Sequence, residues 1–372
     1  MSWQSCRLGD VMTLKRGHDL PEHSRLDGDV PVVSSSGITG WHKEAKAKAP
    51  GVVTGRYGTI GEVYFLEQDY WPLNTALYVI DFKGNDPKFL AYFLRNTLRG
   101  YQSEKAAVPG VDRNVLHEIK VRAPDRTTQL RIRDHLAAYD DLIDNNRRRM
   151  ALLEESARLL YREWFVRLRF PGYEHTRVVA GVPEGWKRKT LGDLCSEIRE
   201  SVSPDAIEPD TPYIGLEHLP RRSIALCDWG RAEQVTSNKH RFRAGEILFG
   251  KIRPYFHKVG VAFVDGVASS DAIVIRPNNP LHHGLVLMTV ASDEFVADTS
   301  QSMKEGSKMP RADWKQMQRY PTPLPPDGLL DSFESVIQPI VEQLKALTFA
   351  TIKLRAARDL LLPRLMSGEI TV

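Results

Sequence analysis

Cysteine is scarce. Of 372 residues only Cys6, Cys195 and Cys227 carry a thiol, an odd number set far apart, with no Cys-x-x-Cys and no histidine at zinc spacing. That pattern excludes a disulfide framework, and the three are expected to be reduced thiols of a cytoplasmic protein. No stretch approaches the roughly 18 uninterrupted apolar residues of a membrane span. The first residues also lack the basic, apolar, small-residue succession of a signal peptide. The expectation is a soluble, intracellular chain without a membrane partner. One-sided charge is missing too: 51 Lys and Arg stand against 47 Asp and Glu, so any basic surface must be local. With 42% apolar and 26% charged residues the chain has a globular composition and is long enough for two cores.

Catalytic motifs are wanting as well. Residues 245–251 fit G-x-x-x-x-G-K, but Ile252 stands where a phosphate-binding loop needs Ser or Thr for magnesium, and the intervening residues read as a strand. The Asn- or Asp-Pro-Pro-aromatic loop of an adenine methyltransferase is not found, and Pro325-Pro326-Asp327 lacks both its flanks. No Pro-Asp is followed at short spacing by a nuclease Glu-x-Lys, and His282-His283 is a poor pair for one metal. The chain is therefore read as non-enzymatic, with no metal and no cofactor of its own.

What is present is a heptad seam. Ile132, Tyr139, Asn146, Leu153 and Leu160 recur every seven residues, interleaved with Leu136, Ile143, Met150, Ala157 and Trp164. At an offset of 201 the two rows return as Phe333, Ile340, Leu347, Leu354, Leu361 and as Ile337, Leu344, Thr351, Arg358. A lone apolar stripe cannot be buried, so the two helices are expected to pair within the chain through Leu136, Tyr139, Ile143, Leu153, Leu160, Ile337, Ile340, Leu344, Leu347, Leu354 and Leu361. Pro339 removes a backbone donor, and two seam positions of the second helix are polar, which predicts a kink or an early break there.

The rest of the chain repeats too. Trp-x4-Leu-Gly-Asp opens at residues 3 and 186; strands at 30–34, 52–54, 62–66 and 77–82 are bounded by Gly, Pro and Asn. GVVTGRYGTIG at 51–61 corresponds to GEILFGKIRP at 245–254 followed by VGVAF, and LYVI at 77–80 to AIVI at 272–275. Apolar helical stretches follow at 87–98 and 283–296. A short helix and a Pro-bounded strand then lead into each long helix. Because the openings are 183 apart and the long helices 201, the second half holds about eighteen more residues. The organisation expected is a domain over 1–125, a long helix over 126–170, a second domain over 171–326 whose residues 171–185 form a linker, and a long helix over 327–372. The fold class is α+β: two similar α/β domains in tandem, with two long helices forming an intramolecular antiparallel coiled coil under a pseudo-twofold.

Basic, polar and aromatic residues gather in the middles of the halves. In the first they are Lys15, Arg16, His18, Ser34, Ser35, Ser36, Trp41, His42, Lys43, Arg56, Tyr57, Lys105 and Arg113. In the second they are His218, Arg221, Arg222, Lys239, His240, Arg241, Arg243, Lys251, Arg253, Tyr255, His257, Lys258, Lys304, Lys308 and Arg311. Such side chains supply phosphate contacts and read base edges, so these are the candidate DNA-binding residues.

Residues 152–167 (LLEESARLLYREWFVR), 170–174 (FPGYE), 183–186 (PEGW) and 360–370 (LLLPRLMSGEI) resemble the specificity (S) subunits of type I restriction-modification enzymes. So does the plan of two variable domains alternating with two similar helices along the whole chain. The resemblance implies a non-catalytic DNA reader, in which each target-recognition domain takes one half of a bipartite, asymmetric double-stranded target and the helices set the spacing. It also implies partners: two modification subunits that methylate adenine with S-adenosylmethionine, and restriction subunits that add ATP- and Mg-dependent translocation and cleavage. The alternative is a duplicated coiled-coil scaffold that binds proteins rather than DNA.

Overall fold

The computed structural model describes residues 3–57, 61–99, 110–301 and 310–372. The chain divides into two compact units, Met1–Ile143 with Lys353–Val372, and Asp144–Ile352. Its first half runs β1 (Trp3–Arg7), α1 (Leu8–Val11), β2 (Thr13–Arg16), β3 (Val30–Ser34), β4 (Gly37–His42), β5 (Gly51–Gly55), β6 (Val63–Leu66), β7 (Trp71–Pro72), β8 (Ala76–Asp81), α2 (Pro87–Leu98), α3 (Arg113–His117), β9 (Lys120–Pro124) and α4 (Arg126–Tyr161). The main sheet has the order β2-β8-β5-β6, a second has β4-β3-β7, and β1 pairs with β9. Side chains alternate across a strand, and here both faces are covered. Val52, Leu77 and Val79 point to a core shared with Phe89, Leu90 and Phe93 of α2, while Val53, Ala76 and Tyr78 pack with Val33 and Tyr70.

The second half repeats this plan with β10 (Val178–Val179), β11 (Val182–Pro183), α5 (Leu191–Leu194), β12 (Cys195–Ile198), β13 (Ser201–Val202), β14 (Pro212–Ile214), β15 (Gly230–Arg231), β16 (Lys239–Phe242), β17 (Ile247–Gly250), β18 (Val259–Val261), β19 (Gly266–Ala268), β20 (Ala272–Pro277), α6 (His283–Val290), α7 (Asp293–Gln301), α8 (Trp314–Met317) and α9 (Asp327–Ser367). Its main sheet has the matching order β12-β20-β17-β18. Ile247, Phe249, Ile273 and Ile275 face α6, and Leu248, Ala272 and Val274 face the other way. The additional residues of this half serve a larger second sheet, β13-β16-β19-β14-β15, with five strands against three.

The long helices pair antiparallel within each unit. In the second unit Trp164 and Phe165 lie against Phe333, and Asn146 Nδ2 donates to Thr351 Oγ1 at 3.4 Å, so the buried polar seam positions satisfy each other. In the first unit Ile132 and Leu136 share a core with Leu362, Leu365 and Met366, and Arg358 pairs with Asp140 at 2.6 Å. Both boundaries between the units fall inside these helices.

Four expectations are corrected by the structure. The predicted break at Pro339 does not occur, and α9 is unbroken from Asp327 to Ser367. Pro339 and Ser335 are both exposed, so water can take the carbonyl that Pro339 leaves without a donor. At Pro363 a side chain performs that role, since Arg99 Nη1 donates to the Asp359 carbonyl at 3.2 Å. The first long helix ends at Tyr161 rather than running to residue 170, passing into a π turn, Arg162–Val166. The helical stretch 283–296 is two helices, because Ser292 Oγ accepts from the Phe295 amide at 3.2 Å and starts α7. The expected linker at 171–185 contains the β10–β11 hairpin, turned by Ala180 and Gly181 with φ of 49° and 78°.

Matched helices are docked by matched positions of the long helices. Asp86 caps α2 through the Phe89 amide at 2.8 Å, and Arg133 Nη1 holds the same carboxylate at 2.9 Å. Two hundred and one residues on, Glu334 Oε2 accepts from the Gly284 amide near the start of α6 at 2.8 Å. A Cβ at Gly284 would lie 3.0 Å from the Ile337 side chain, so glycine permits α6 to approach α9 this closely.

Candidate nucleic-acid interface

The two main sheets carry cations at corresponding ends. β2 and β5 both run antiparallel to β8, so their last residues flank the start of β8. Arg16 stands at the end of β2 and Arg56 just beyond β5. The Arg56 amide donates to the Thr75 carbonyl at 3.0 Å, and its own carbonyl accepts from the Val111 amide at 2.8 Å. In the second half Lys251 follows β17 with the same bonds, its amide to the Asp271 carbonyl at 2.7 Å and its carbonyl from the Ala312 amide at 2.9 Å. Arg199, just past β12, occupies the position of Arg16 at the repeat offset of 183. Two divergent copies thus place two cations at the same end of the same sheet.

Around this end of the first domain, Arg16 Nε donates to the Asn74 carbonyl at 3.3 Å, and Asn74 Nδ2 donates to Asp19 at 2.7 Å. The Arg56 guanidinium lies 4.8 Å over the exposed Tyr57 ring. His18 Nε2 meets Tyr78 Oη at 3.2 Å, and burial, with Lys15 and Lys46 nearby, pushes its pKa down. Trp41 and Lys43 are exposed beside this region on and after β4, whereas His42 is buried, accepting from the Leu26 amide at 3.0 Å and packed edge-on against Trp71. Ser34 is buried too, its hydroxyl 3.0 Å from that of Ser36 and tied to the β3–β4 turn. Ser35 is half-buried in that turn, and Lys15 and Arg113 are exposed. Lys105 lies outside the described residues.

At the matched end of the second domain, Lys251 Nζ donates to the Ser270 carbonyl at 3.0 Å and lies 3.9 Å from Glu197. Arg311 pairs with Asp271 at 3.3 Å, and burial lowers the pKa of His240. Other cations are occupied locally. Lys239 is buried on Ser237, Lys258 donates to the Leu216 carbonyl, Arg241 donates to the Ala206 carbonyl at 3.3 Å, and His218 Nδ1 accepts from the Gly215 amide. Arg243 is exposed at the end of β16, with its amide on Glu246. Lys304 and Lys308 lie outside the described residues.

A separate group in the same unit lines a cleft of about 200 Å³ with Arg158, Arg162 and Glu294. There Arg222 pairs with Asp293 at 2.8 Å, and His257 Nε2 donates to the Ala291 carbonyl at 2.8 Å. Burial pushes the His257 pKa down despite Asp293 at 3.4 Å. Arg221 and Arg253 both sit over the Phe256 ring, next to exposed Tyr255. The sequence therefore nominated residues that the fold divides among a sheet end, a cleft and several turns. Among the described residues no group of three His, Cys, Asp or Glu could hold a metal, and no helix is long and apolar enough to cross a membrane.

Several residues, Arg199 among them, escaped the sequence reading. Glu154, 6% exposed on α4, accepts from Ser223 Oγ at 2.6 Å and from the Ile224 and Ala225 amides at 3.2 and 3.1 Å. Nothing in its heptad position announces this. Glu197, also 6% exposed, holds Arg199 at 2.6 Å. It could have been found, because the repeat aligns it with Leu14, an apolar core position.

The comparisons with known proteins agree with this architecture. Residues 1–155 match the family model described as type I restriction modification DNA specificity domain. The chain is 23% identical over 277 residues to the type I restriction enzyme MjaIX specificity subunit of Methanocaldococcus jannaschii, a match covering 71% of this chain and 63% of that relative. It is 22% identical over 368 residues to the EcoDI specificity subunit of Escherichia coli, covering 88% of this chain and 78% of that one. In fold it is similar to the crystal structure of a type I restriction-modification system S subunit from M. genitalium, with TM-score 0.62, 14% identity, and 98% and 96% of the two chains covered. In its duplicated α/β domain alternating with two long helices, and in the names of the relatives it matches, this chain is similar to the specificity subunits of type I restriction-modification enzymes.

Proposed function

We propose that this chain is the non-catalytic DNA-reading subunit of a type I restriction-modification complex. Each α/β domain takes one half of a bipartite, asymmetric double-stranded target, and the paired helices set the distance between the halves. The observation that carries this reading is the duplication itself: two sheets of one strand order, each with two cations at the corresponding end. Phosphate contacts fix register and base-edge contacts supply sequence, so a repeated frame with divergent loops suits a reader of two different half-sites. The adenine-methylating modification subunits, two of them, and the restriction subunits are the partners, and they bring S-adenosylmethionine, ATP and magnesium to the complex. The flank of α4 and of the π turn that follows it supports a docking role, since Leu152, Leu159 and Val166 are exposed at heptad spacing beside the seam. The complex acts in the cytoplasm, where the DNA is.

Replacing residues 11–120 by the equivalent segment of a relative tests the reading. In cells that also carry the modification subunits, long-read mapping of methylated adenines should show one half of the target changed, with the other half and the spacing retained. A change in both halves, or in neither, refutes it, and binding of protein ligands without any methylated target favours the scaffold alternative.

A further inference from the structure

We propose that Arg199 reads a guanine in the half-site taken by the second domain, held in position by Glu197. The inference rests on the DNA-reading function above and adds to it a residue and a base. Glu197 projects from β12 with its side chain 6% exposed, and a buried carboxylate is destabilising unless it is paired. The fold does not need it. At the same position of the first domain stands Leu14, fully within the core; it is paired with Val79 as Glu197 is paired with Ile275, since the observed strand register matches Ala76 to Ala272 and so shifts the correspondence of 77–80 with 272–275 by one residue.

What Glu197 does is hold Arg199, whose Nη2 lies 2.6 Å from Oε2 while 66% of its side chain remains open to solvent. Lys251 also faces Glu197, at 3.9 Å, but gives its hydrogen bond to the Ser270 carbonyl at 3.0 Å. One edge of the Arg199 guanidinium is thus fixed and the rest is offered outward. A guanidinium is a rigid planar fork, and orienting it in advance reduces the side-chain entropy lost on binding. The acceptor pair that a planar fork matches in duplex DNA is O6 and N7 of guanine in the major groove. Phosphate presents a similar pair, but Glu197 offsets the charge of Arg199 and disfavours a second anion beside it. Arg16, at the matched position of the first domain, has no carboxylate partner among the described residues and keeps its full charge, as a phosphate contact requires.

The test uses the complex of the full chain with its modification subunits. The target is first mapped by long-read sequencing, and binding is then measured on duplexes varied one base pair at a time, at several salt concentrations. For Arg199→Lys and Arg199→Ala we expect one G·C pair of the second-domain half-site to lose its preference by about 5- to 150-fold. Methylation should spread to targets with another base there, and the salt dependence of Arg199→Lys should stay as in the parent. Glu197→Gln should shift the same position in the same direction, by less. Three results overturn the proposal: a half-site without guanine, unchanged preferences in Arg199→Ala, or a uniform loss on all sequences with a salt slope smaller by about one, which marks a phosphate contact. A parent complex that methylates no defined sequence refutes the DNA-reading function itself, an outcome distinct from these three.

Discussion

Glu154→Ala is the most informative single perturbation of stability. The Glu154 carboxylate is shared by Ser223 Oγ at 2.6 Å, the Ile224 amide at 3.2 Å and the Ala225 amide at 3.1 Å, and both amides belong to residues about 1% exposed. Alanine leaves those two N–H groups with neither a protein partner nor water. Each orphaned buried donor costs about 1–3 kcal/mol, while the lost pairing to Arg158 adds little because that guanidinium also reaches Glu155 and the Arg222 carbonyl. The gain in helix propensity on going to alanine, about 0.3 kcal/mol, does not offset this. We expect a local destabilisation of about 3–5 kcal/mol, hence exchange at the Ile224 and Ala225 amides at least about 150-fold faster, measured by hydrogen exchange with mass spectrometry. Glu154→Gln keeps one acceptor oxygen and should lose about 1 kcal/mol. Parent-like protection at both amides in Glu154→Ala would show that the carboxylate does not dock α4 onto this segment.

The seam should discriminate by position: Leu136→Asp and Leu344→Asp each place a charge where the leucine is fully buried and should unfold their own unit, whereas Leu360→Asp, 71% exposed, should be neutral by thermal melting. Burial raises the Glu334 pKa to about 7 from its ordinary 4.5. The folded state therefore keeps a proton that the unfolded chain releases, and stability falls as pH rises from 4.5 to 7 and levels off above. Glu334→Gln should remove that slope and be more stable at pH 8 by on the order of 1–2 kcal/mol after solvent screening, and equal at pH 4, in denaturant titrations at the two pH values. A circular permutant joining the termini and opened at Ala180–Gly181 should fold and keep its target, because Trp3 lies against Gly368 and Ile370 and Val372 pack on the core near β1; loss of folding would contradict this.

Periodicity and repetition made the architecture legible in the sequence. A seven-residue spacing of apolar side chains is a statement about one helix face, and the offsets of 183 and 201 equated the two halves before any strand was placed. Short apolar runs between Gly and Pro located β3, β5, β6 and β8 to within a residue or two, since strands covered on both faces have little polar sequence to blur them. What only the tertiary structure decided was the fate of polar groups. Ser34 and His42 read as surface contacts but are buried at the ends of β3 and β4, and Lys239 is spent on Ser237, because nearby backbone groups needed partners. Pro339 does not stop α9, since the freed carbonyl faces water, and Pro363 does not, since Arg99 comes from another element to meet Asp359. Glu154 and Glu334 carry no periodic signal of their roles, because a buried carboxylate is defined by the donors that converge on it, and those come from segments tens of residues away. A sequence carries the periods of its own helices and strands, whereas the pairing of a charge depends on distances that exist only after the chain has closed.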